Sequence, residues 1–255
     1  MAENAISTKI HACVEWIFFF FAAVYFIVWG LVISILGLLV RPFLTKQKSQ
    51  RLAQSSMHYL LKSYFFGLSL TGLFQLDCTE LDRLKNERGI LIAPNHPCLM
   101  DALFICSRLP NVICVMKASV LRNPILFGGA WLGGFIRSDS AARFVQHCEQ
   151  TLRDGGQLLL FPEGTRSVNY PINEFKGGFA LIAQKSGATV QTVFINANSQ
   201  FLGKHWPLWK RPSFPLIYSA KLGDRFQVNP KQNHKNFTKD LENYFKKKLP
   251  EQNQS

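Results

Sequence analysis

The segment Asn95–Asp101, NHPCLMD, places a histidine and an aspartate five residues apart, between an apolar run and a helical segment. Histidine is well suited to accept a proton near neutral pH, and a carboxylate on its second ring nitrogen would fix the tautomer. No serine or threonine stands beside the pair, so a reacting hydroxyl would belong to the substrate. On spacing alone, His96 is either such a base with Asp101 behind it, or a helix cap beside a first-turn acid.

A second polar loop, FPEGTRS at Phe161–Ser167, follows the apolar run GQLLL. Arg166 could bind a phosphate through its fork of donors, and the backbone of Gly164 and Thr165 could donate to the same anion. Glu163 could accept a hydrogen bond from a substrate hydroxyl, or orient Arg166. The alternative is a surface turn with a Glu–Arg pair.

Two further basic residues end apolar runs, Lys117 after NVICVM and Arg137 after GGFI. With Arg166 they would form a positive pocket suited to a phosphomonoester, although each alone also fits a solvated side chain. The glycine-rich Gly128–Gly134 segment lacks a phosphate-loop pattern, and no carboxylate or histidine cluster accompanies His96. We therefore predict neither a nucleotide cofactor nor a metal.

Short apolar runs bounded by Gly, Pro or Asn alternate with helix-length segments from about residue 76 to 228. The runs GILIAPN, NVICVMKA, GGFIRSD, GQLLLFPEG, VQTVFINAN and FPLIYSAKLGD predict buried strands, and DALFICSRL, SAARFVQHCEQTLRDGG and GGFALIAQKSG predict helices. The pattern indicates an α/β domain with a mixed, largely parallel sheet flanked by helices. The carboxyl ends of such strands meet at one edge, which would bring both loops to one crevice.

The N-terminal region, residues 1–75, is predicted to anchor the chain to a membrane. Trp16–Val40 is uncharged over 25 residues, long enough to span a bilayer, and fits a cleaved signal peptide poorly. Basic residues follow it in 41–51, which predicts that the rest of the chain lies on the cytoplasmic side. Tyr59–Leu76 is shorter and contains Lys62, so it is predicted to be an interfacial or buried helix rather than a second span.

The tail, residues 229–255, predicts a basic amphipathic helix that either packs on the domain with solvated lysines or lies on anionic lipid. The whole chain has a net charge of +13, which implies an anionic partner, and 22 phenylalanines. Basic residues are spread over several segments instead of clustering with aromatics, so nucleic acid is not a predicted partner. The six cysteines form no C-x-x-C pair and are predicted to be reduced and mostly buried.

These motifs, in this order over residues 88–195, resemble those of the glycerophospholipid acyltransferases, the family of the bacterial 1-acylglycerol-3-phosphate acyltransferases. NHPCLMD is similar to the family's N-H-x-x-x-x-D box, FPEGTRS to its third box, and FKGG at Phe175–Gly178 to the element that follows. KASVLRNPILFGGAWLGGFIR resembles its second block. One departure stands at Val190–Val193, where the family has a proline between apolar residues, and this puts the shape of a substrate pocket in doubt.

The resemblance implies that His96 and Asp101 are the catalytic pair. It further implies a substrate-binding set comprising Asn95, Lys117, Arg137, Glu163, Gly164, Thr165 and Arg166. His96 would deprotonate the free hydroxyl of a lysophospholipid, which attacks an acyl-CoA or acyl carrier protein thioester. Backbone donors near the His loop would stabilise the oxyanion. Cys98 would be a bystander.

The implied substrate is lysophosphatidic acid, at a cytoplasmic membrane. The acyl donor would be a co-substrate, the bilayer a partner, and acyl carrier protein a further candidate partner. Two alternatives stay open on the sequence. One is the same chemistry on a different acceptor, such as a lyso-ornithine lipid or another lysophospholipid. The other is a non-catalytic, membrane-surface lipid-binding protein.

Overall fold

A seven-stranded sheet forms the centre of the protein. The computed structural model describes residues 2–117, 130–137, 141–207, 209–229 and 231–252. Within these, the strands are β1 (Phe74–Asp77), β2 (Ile90–Pro94), β3 (Val112–Met116), β4 (Ile136–Arg137), β5 (Gln157–Leu159), β6 (Thr189–Ala197) and β7 (Leu216–Gln227). The spatial order is β1-β7-β6-β2-β5-β3-β4, and every neighbouring pair is parallel except β6 and β7.

Helices cover both faces of this sheet. The α-helices of the described ranges are α1 (Ala2–Val40), α2 (Lys46–Ser69), α3 (Asp101–Arg108), α4 (Ala141–Arg153), α5 (Gly178–Ser186) and α6 (His234–Gln252), with 3-10 turns at Arg41–Phe43 and Thr79–Leu84. Side chains of β2 alternate between two cores: Ile90 and Ile92 join the α2–α3 core, and Leu91 joins the α4–α6 core. The predicted mixed, largely parallel α/β sheet is confirmed, as are its six predicted strands and three predicted helices.

The Tyr59–Leu76 segment is not the single helix that its apolar run predicted. Helix α2 begins earlier, at Lys46, and ends at Ser69, while Leu76 lies in β1 opposite Tyr218 of β7. Gly72, with φ +71°, makes the turn between them. A helix end and an edge strand that are both partly buried give one continuous apolar run, so hydrophobicity alone does not separate them. The sheet therefore starts at Phe74, two residues before the predicted domain start.

From Cys13 to Val40, helix α1 exposes most of its apolar side chains. Its segment Cys13–Val40 is, within the described residues, the one helical stretch long and apolar enough to cross a membrane. Phe20, Phe21 and Ile35 are all exposed. Helix α2 instead buries Leu61 and Phe65 in the α2–α3 core. An apolar surface of this length has no stable place in water, which suggests that α1 associates with a membrane.

The start of the apolar part of α1 also contacts the loop before β7. Phe18 packs edge-on against Phe214 with ring centroids 5.5 Å apart, and Phe19 packs against Phe201 at 6.0 Å. Glu15 forms an ion pair with Arg211 in the same loop. Helix α1 is therefore joined to the α/β domain by packed aromatic rings as well as by chain connectivity.

The C-terminal helix α6 packs on the domain. Its apolar side chains Phe237, Leu241, Phe245 and Leu249 are buried in the α4–α6 core, while Lys247 is exposed. Of the two interpretations of the tail, the structure has the one in which a terminal helix packs on the sheet and its lysines face solvent.

Candidate active site

Four sequence motifs meet at the carboxyl edge of the sheet. Strands β2, β5, β3 and β4 are adjacent and parallel, with Ile92 opposite Leu159 and Met116 opposite Arg137. The His96 loop follows β2, the FPEGTRS loop follows β5, Lys117 follows β3, and Arg137 ends β4. In open α/β sheets this edge is where ligands bind. The expected meeting of the motif loops is therefore present.

His96 and Asp101 are hydrogen bonded. The Nδ1 atom of His96 lies 2.8 Å from Oδ2 of Asp101. Asp101 is the first residue of α3 and is fully buried, while the His96 side chain keeps 17 % of its surface exposed. A buried carboxylate on Nδ1 favours the tautomer with its proton there, which leaves Nε2 as the proton acceptor. The carboxylate therefore faces the imidazole, as the base interpretation requires, while Asp101 is also an acid in the first turn of α3.

Cys98 completes the set of contacts around the Asp101 carboxylate. Its backbone N–H donates to Oδ2 at 2.9 Å, and its thiol donates to Oδ1 at 2.9 Å. Burial first of all, and then the neighbouring Asp101 charge, raises the pKa of the Cys98 thiol well above its usual range. Cys98 is therefore a protonated donor, and a thiolate nucleophile at this position is disfavoured.

We expect Cys98→Ala to reduce turnover about tenfold and Cys98→Ser to retain it within a few-fold, because a hydroxyl can replace the thiol donor to Asp101 and a methyl cannot. Steady-state kcat of the two purified variants is the measurement. Cys98→Ser with activity as low as that of a His96 variant would instead show that the sulfur takes part in the chemistry.

The ring of Phe161 lies against His96. The two rings stack with centroids 3.8 Å apart and an angle of 18° between their planes. Phe161 is the first residue of the FPEGTRS loop, so the second motif covers one face of the imidazole. Sequence reasoning missed this role. The available signal was an aromatic residue at the start of a loop that was expected to face the His loop.

Glu163 holds the two motif loops together. Its Oε1 accepts hydrogen bonds from the His96 N–H at 2.9 Å and the Ser167 hydroxyl at 2.8 Å, and its Oε2 accepts from the Asn173 N–H at 2.8 Å. In return, the Ser167 N–H donates to the His96 carbonyl at 2.7 Å. Burial raises the pKa of the Glu163 carboxyl, and the hydrogen bonds partly oppose that rise. Both of its oxygens are used inside the protein, which differs from either role predicted for Glu163 from the sequence.

We expect Glu163→Gln to destabilise the protein by about 1–3 kcal/mol, because the amide nitrogen must face an N–H donor at one of the two oxygen positions. The free energy of unfolding from urea titration is the measurement. Glu174→Gln is the matched control, since that side chain is exposed. Equal stability of the two variants would contradict the bracing role.

The Arg166 guanidinium is turned toward a neighbouring loop. Its NH1 group donates to the carbonyls of Leu202 and Gly203, each at 2.9 Å. The predicted backbone donor Gly164, at φ +65°, instead donates its N–H to Phe161 at 3.0 Å. Thr165, which lies between Gly164 and Arg166 in the sequence, is half-buried. Two of the donor groups predicted to bind an anion, Arg166 NH1 and the Gly164 N–H, thus donate to protein carbonyls instead.

The two remaining basic residues are exposed at the edge of the sheet. Lys117 directly follows β3, and Arg137 lies on the neighbouring strand β4. Most of the second motif block, residues 118–129, lies outside the described residues. Residues 138–140, which follow Arg137, lie outside them too. Lys117 and Arg137 therefore stay predicted acceptor-binding residues, placed on the β3–β4 side of His96.

Asn95 connects β2 to β6. Its side-chain amide donates to the Ile195 carbonyl at 2.8 Å, and its side-chain oxygen accepts from the Ile195 N–H at 2.7 Å. Both polar ends of this buried side chain are engaged by the neighbouring strand. We assign Asn95 to positioning the start of the His96 loop, in place of the substrate contact predicted from the sequence.

The backbone of the His loop is also fully engaged. The N–H groups of His96 and Cys98 bind the carboxylates described above, and that of Leu99 donates to the Leu202 carbonyl at 3.0 Å. Pro97 has no N–H. The oxyanion donors predicted near the His loop are therefore not supplied by residues 96–99 in this conformation.

The unusual Val190–Val193 segment lies inside β6, with Val193 opposite Pro94, the last residue of β2. A bulge falls between Gln191 and Val193, and the Gln191 side chain donates to the Gly223 carbonyl at 2.7 Å. Thr192 donates to the Asp224 carbonyl at 2.8 Å. The two polar side chains satisfy backbone groups of β7 around the bulge, so this departure from the family pattern affects strand pairing.

The chain is similar to known acyltransferases. Residues 75–196 match the family model described as Acyltransferase. The chain is 26 % identical over 160 residues to the 1-acyl-sn-glycerol-3-phosphate acyltransferase of Borreliella burgdorferi, covering 60 % of this chain and 59 % of that protein. It is 21 % identical over 151 residues to the chloroplastic 1-acyl-sn-glycerol-3-phosphate acyltransferase LPAT1 of Arabidopsis thaliana, covering 57 % and 42 %. The matched part thus spans about half the length of these relatives.

The fold has a solved counterpart. The crystal structure of the 1-acyl-sn-glycerophosphate (LPA) acyltransferase PlsC from Thermotoga maritima superposes with a TM-score of 0.72 at 20 % identity, covering 96 % of this chain and 97 % of that one. The chain thus shares its fold with this acyltransferase, and its central segment, residues 75–196, is similar to the Acyltransferase family model.

Proposed function

We propose that this protein transfers a fatty acyl group from an acyl-CoA or acyl carrier protein thioester to the free hydroxyl of lysophosphatidic acid, giving phosphatidic acid. The observation that carries the proposal is the His96–Asp101 pair: an oriented base with a partly exposed ring, set at the ligand-binding edge of the sheet. In the described residues, no serine or threonine hydroxyl is recorded as hydrogen bonded to that ring. The reacting hydroxyl is therefore supplied by the acceptor lipid.

In the proposed reaction, Nε2 of His96 takes the proton from the acceptor hydroxyl as its oxygen bonds to the thioester carbonyl carbon. The tetrahedral intermediate then expels the thiolate, which receives the proton from His96. The products are an ester and a free thiol, and no acyl-enzyme is formed. Asp101 stabilises the imidazolium between the two proton transfers, a role that its buried position and 2.8 Å contact support.

The proposed acceptor site lies on the β5–β3–β4 side of His96. Lys117 and Arg137 stand at strand ends there, where two exposed cations suit the phosphate of lysophosphatidic acid. Arg166, whose NH1 group is turned toward the Leu202–Gly203 loop, keeps its other donors for a substrate group beside the FPEGTRS loop.

The membrane features fit a lipid acceptor. We propose that α1 inserts into the cytoplasmic membrane and holds the domain on the cytoplasmic face, where the net charge of +13 favours anionic lipid. An enzyme held at that surface can bind a lipid substrate in the bilayer without extracting it into water.

The test is acyl transfer by the purified protein in lipid nanodiscs, with acyl-CoA and acyl carrier protein as donors and a panel of acceptors. We expect phosphatidic acid from lysophosphatidic acid. Turnover on a phosphate-free acceptor such as a lyso-ornithine lipid, with none on lysophosphatidic acid, would overturn the acceptor assignment. Absence of transfer with every donor and acceptor would favour the non-catalytic lipid-binding alternative.

A further inference from the structure

A cavity of about 590 Å³ opens beside the His96 loop, on the side away from Lys117 and Arg137. Its inner end is lined by Pro97 and Ser167, which flank the catalytic loops, and by the carboxyl end of β6. In the sheet, β6 neighbours β2 on the side opposite β5, whereas Lys117 follows β3 and Arg137 ends β4, two strands that lie beyond β5. Its volume is in the range of small-molecule and cofactor sites.

The outer wall of the cavity is basic. Lys204, His205 and Lys210 line it. Contacts within this loop hold Lys210 in position. The Lys210 ammonium lies 4.8 Å from the centre of the Trp206 ring, and the Trp206 indole N–H donates to the Lys210 carbonyl at 2.8 Å. A wall with two lysines and a preorganised turn suits a phosphorylated ligand.

The inner wall carries an unused acceptor. The side-chain oxygen Oδ1 of Asn196 is buried and, within the residues that the structure describes, has no hydrogen-bond partner. Asn196 lines the cavity at the end of β6. A buried acceptor left without a donor is costly, so a ligand with an N–H or O–H at this depth would complete the site.

The cavity wall is tied directly to the catalytic loops. The Leu202 carbonyl accepts both the Leu99 N–H at 3.0 Å and Arg166 NH1 at 2.9 Å. Leu202 has φ 58°, a left-handed backbone that non-glycine residues seldom adopt. The loop that forms the basic wall is thus held against the His96 and FPEGTRS loops through one strained residue.

We propose that this cavity binds the phosphopantetheine part of the acyl donor, with a phosphate at Lys204 and Lys210 and the thioester directed to His96. The pantetheine arm contains amide groups, which suit a cavity wall that includes polar residues such as Asn196 and Asn198. Donor and acceptor then approach His96 from opposite sides. This inference rests on the proposed acyl transfer and adds the location of the donor to it.

The experiment compares Lys204→Gln/Lys210→Gln with the wild type for three donors: acyl-CoA, acyl carrier protein and an acyl-pantetheine without phosphate. We expect the KM for a phosphorylated donor to rise about tenfold. We expect unchanged KM values for acyl-pantetheine and for lysophosphatidic acid. A rise with both phosphorylated donors supports the shared phosphopantetheine phosphate at the lysines. A rise with acyl-CoA alone overturns that placement, because it assigns the lysines to the nucleotide phosphates of coenzyme A.

Lys235→Gln/Lys239→Gln on α6 is the matched control, since it removes the same charge from exposed positions elsewhere. Lys204→Arg/Lys210→Arg should keep the wild-type KM and shows that the effect is one of charge and not of folding. An unchanged KM for acyl-CoA and acyl carrier protein in the Gln variant overturns the donor site, as does an equal rise with acyl-pantetheine or lysophosphatidic acid. Absence of transfer by the wild type would instead overturn the proposed function.

Discussion

His96→Ala is expected to lower acyl transfer between about 10²- and 10⁴-fold, the usual contribution of a positioned general base. The loss should be in kcat, because the imidazole acts on the proton during the reaction and His96 is not assigned to either substrate-binding region. Lysophosphatidic acid and an acyl-CoA are the substrates for the measurement, in nanodiscs with matched protein loading.

His147→Ala is the control for this variant, since His147 is an exposed histidine on α4. Thermal unfolding of His147→Ala should match the wild type. His96→Ala should still unfold cooperatively, at a temperature lowered by the loss of its hydrogen bond to the buried Asp101. Wild-type kcat in His96→Ala would remove the general base from the mechanism and, with it, the main support for the proposed reaction.

Asp101→Asn is expected to lower kcat by about 10³-fold or more, on the precedent of carboxylates that orient a catalytic histidine. Asp101 is fully buried and accepts from His96 and from two donors of Cys98. An amide has only one oxygen for these donors. If its NH₂ group faces Nδ1, the imidazole is held in the tautomer that cannot accept the substrate proton, and in either orientation the counter-charge to the imidazolium is lost.

Asp154→Asn, at an exposed position after α4, controls for the loss of one negative charge. The diagnostic result is a large loss of kcat with little change in either KM. A KM effect without a kcat effect would assign Asp101 to the architecture of the cavity and not to the chemistry.

Local patterns were sufficient for most of the elements. The strands β2, β3 and β5 are short, mostly apolar runs bounded by turn residues. Each run is therefore enough by itself to predict its strand. Strand β1 was missed for the opposite reason. Four residues at the end of a longer apolar run become a strand because β7 is available to pair with them, and that partner lies about 140 residues away along the chain.

The site shows the same division. Residue types and spacing were enough to select His96 and Asp101, and the two lie 2.8 Å apart because the turn between them is short. The intramolecular contacts of Glu163, Arg166 and Asn95 were not predicted from the sequence. Each of these side chains binds a backbone group far away in the sequence, at His96, Leu202 or Ile195.

Short-range patterns were thus enough to predict most of the elements, the apolar N-terminal helix, a resemblance to the acyltransferases and the candidate catalytic pair. The tertiary structure was needed to show which polar residues of the motifs hold the loops. It also decided that a basic loop before β7 closes a cavity beside His96. The physical reason is that a buried polar side chain must bind whatever donor or acceptor the fold brings to it, and pairing over long chain distances sets that partner.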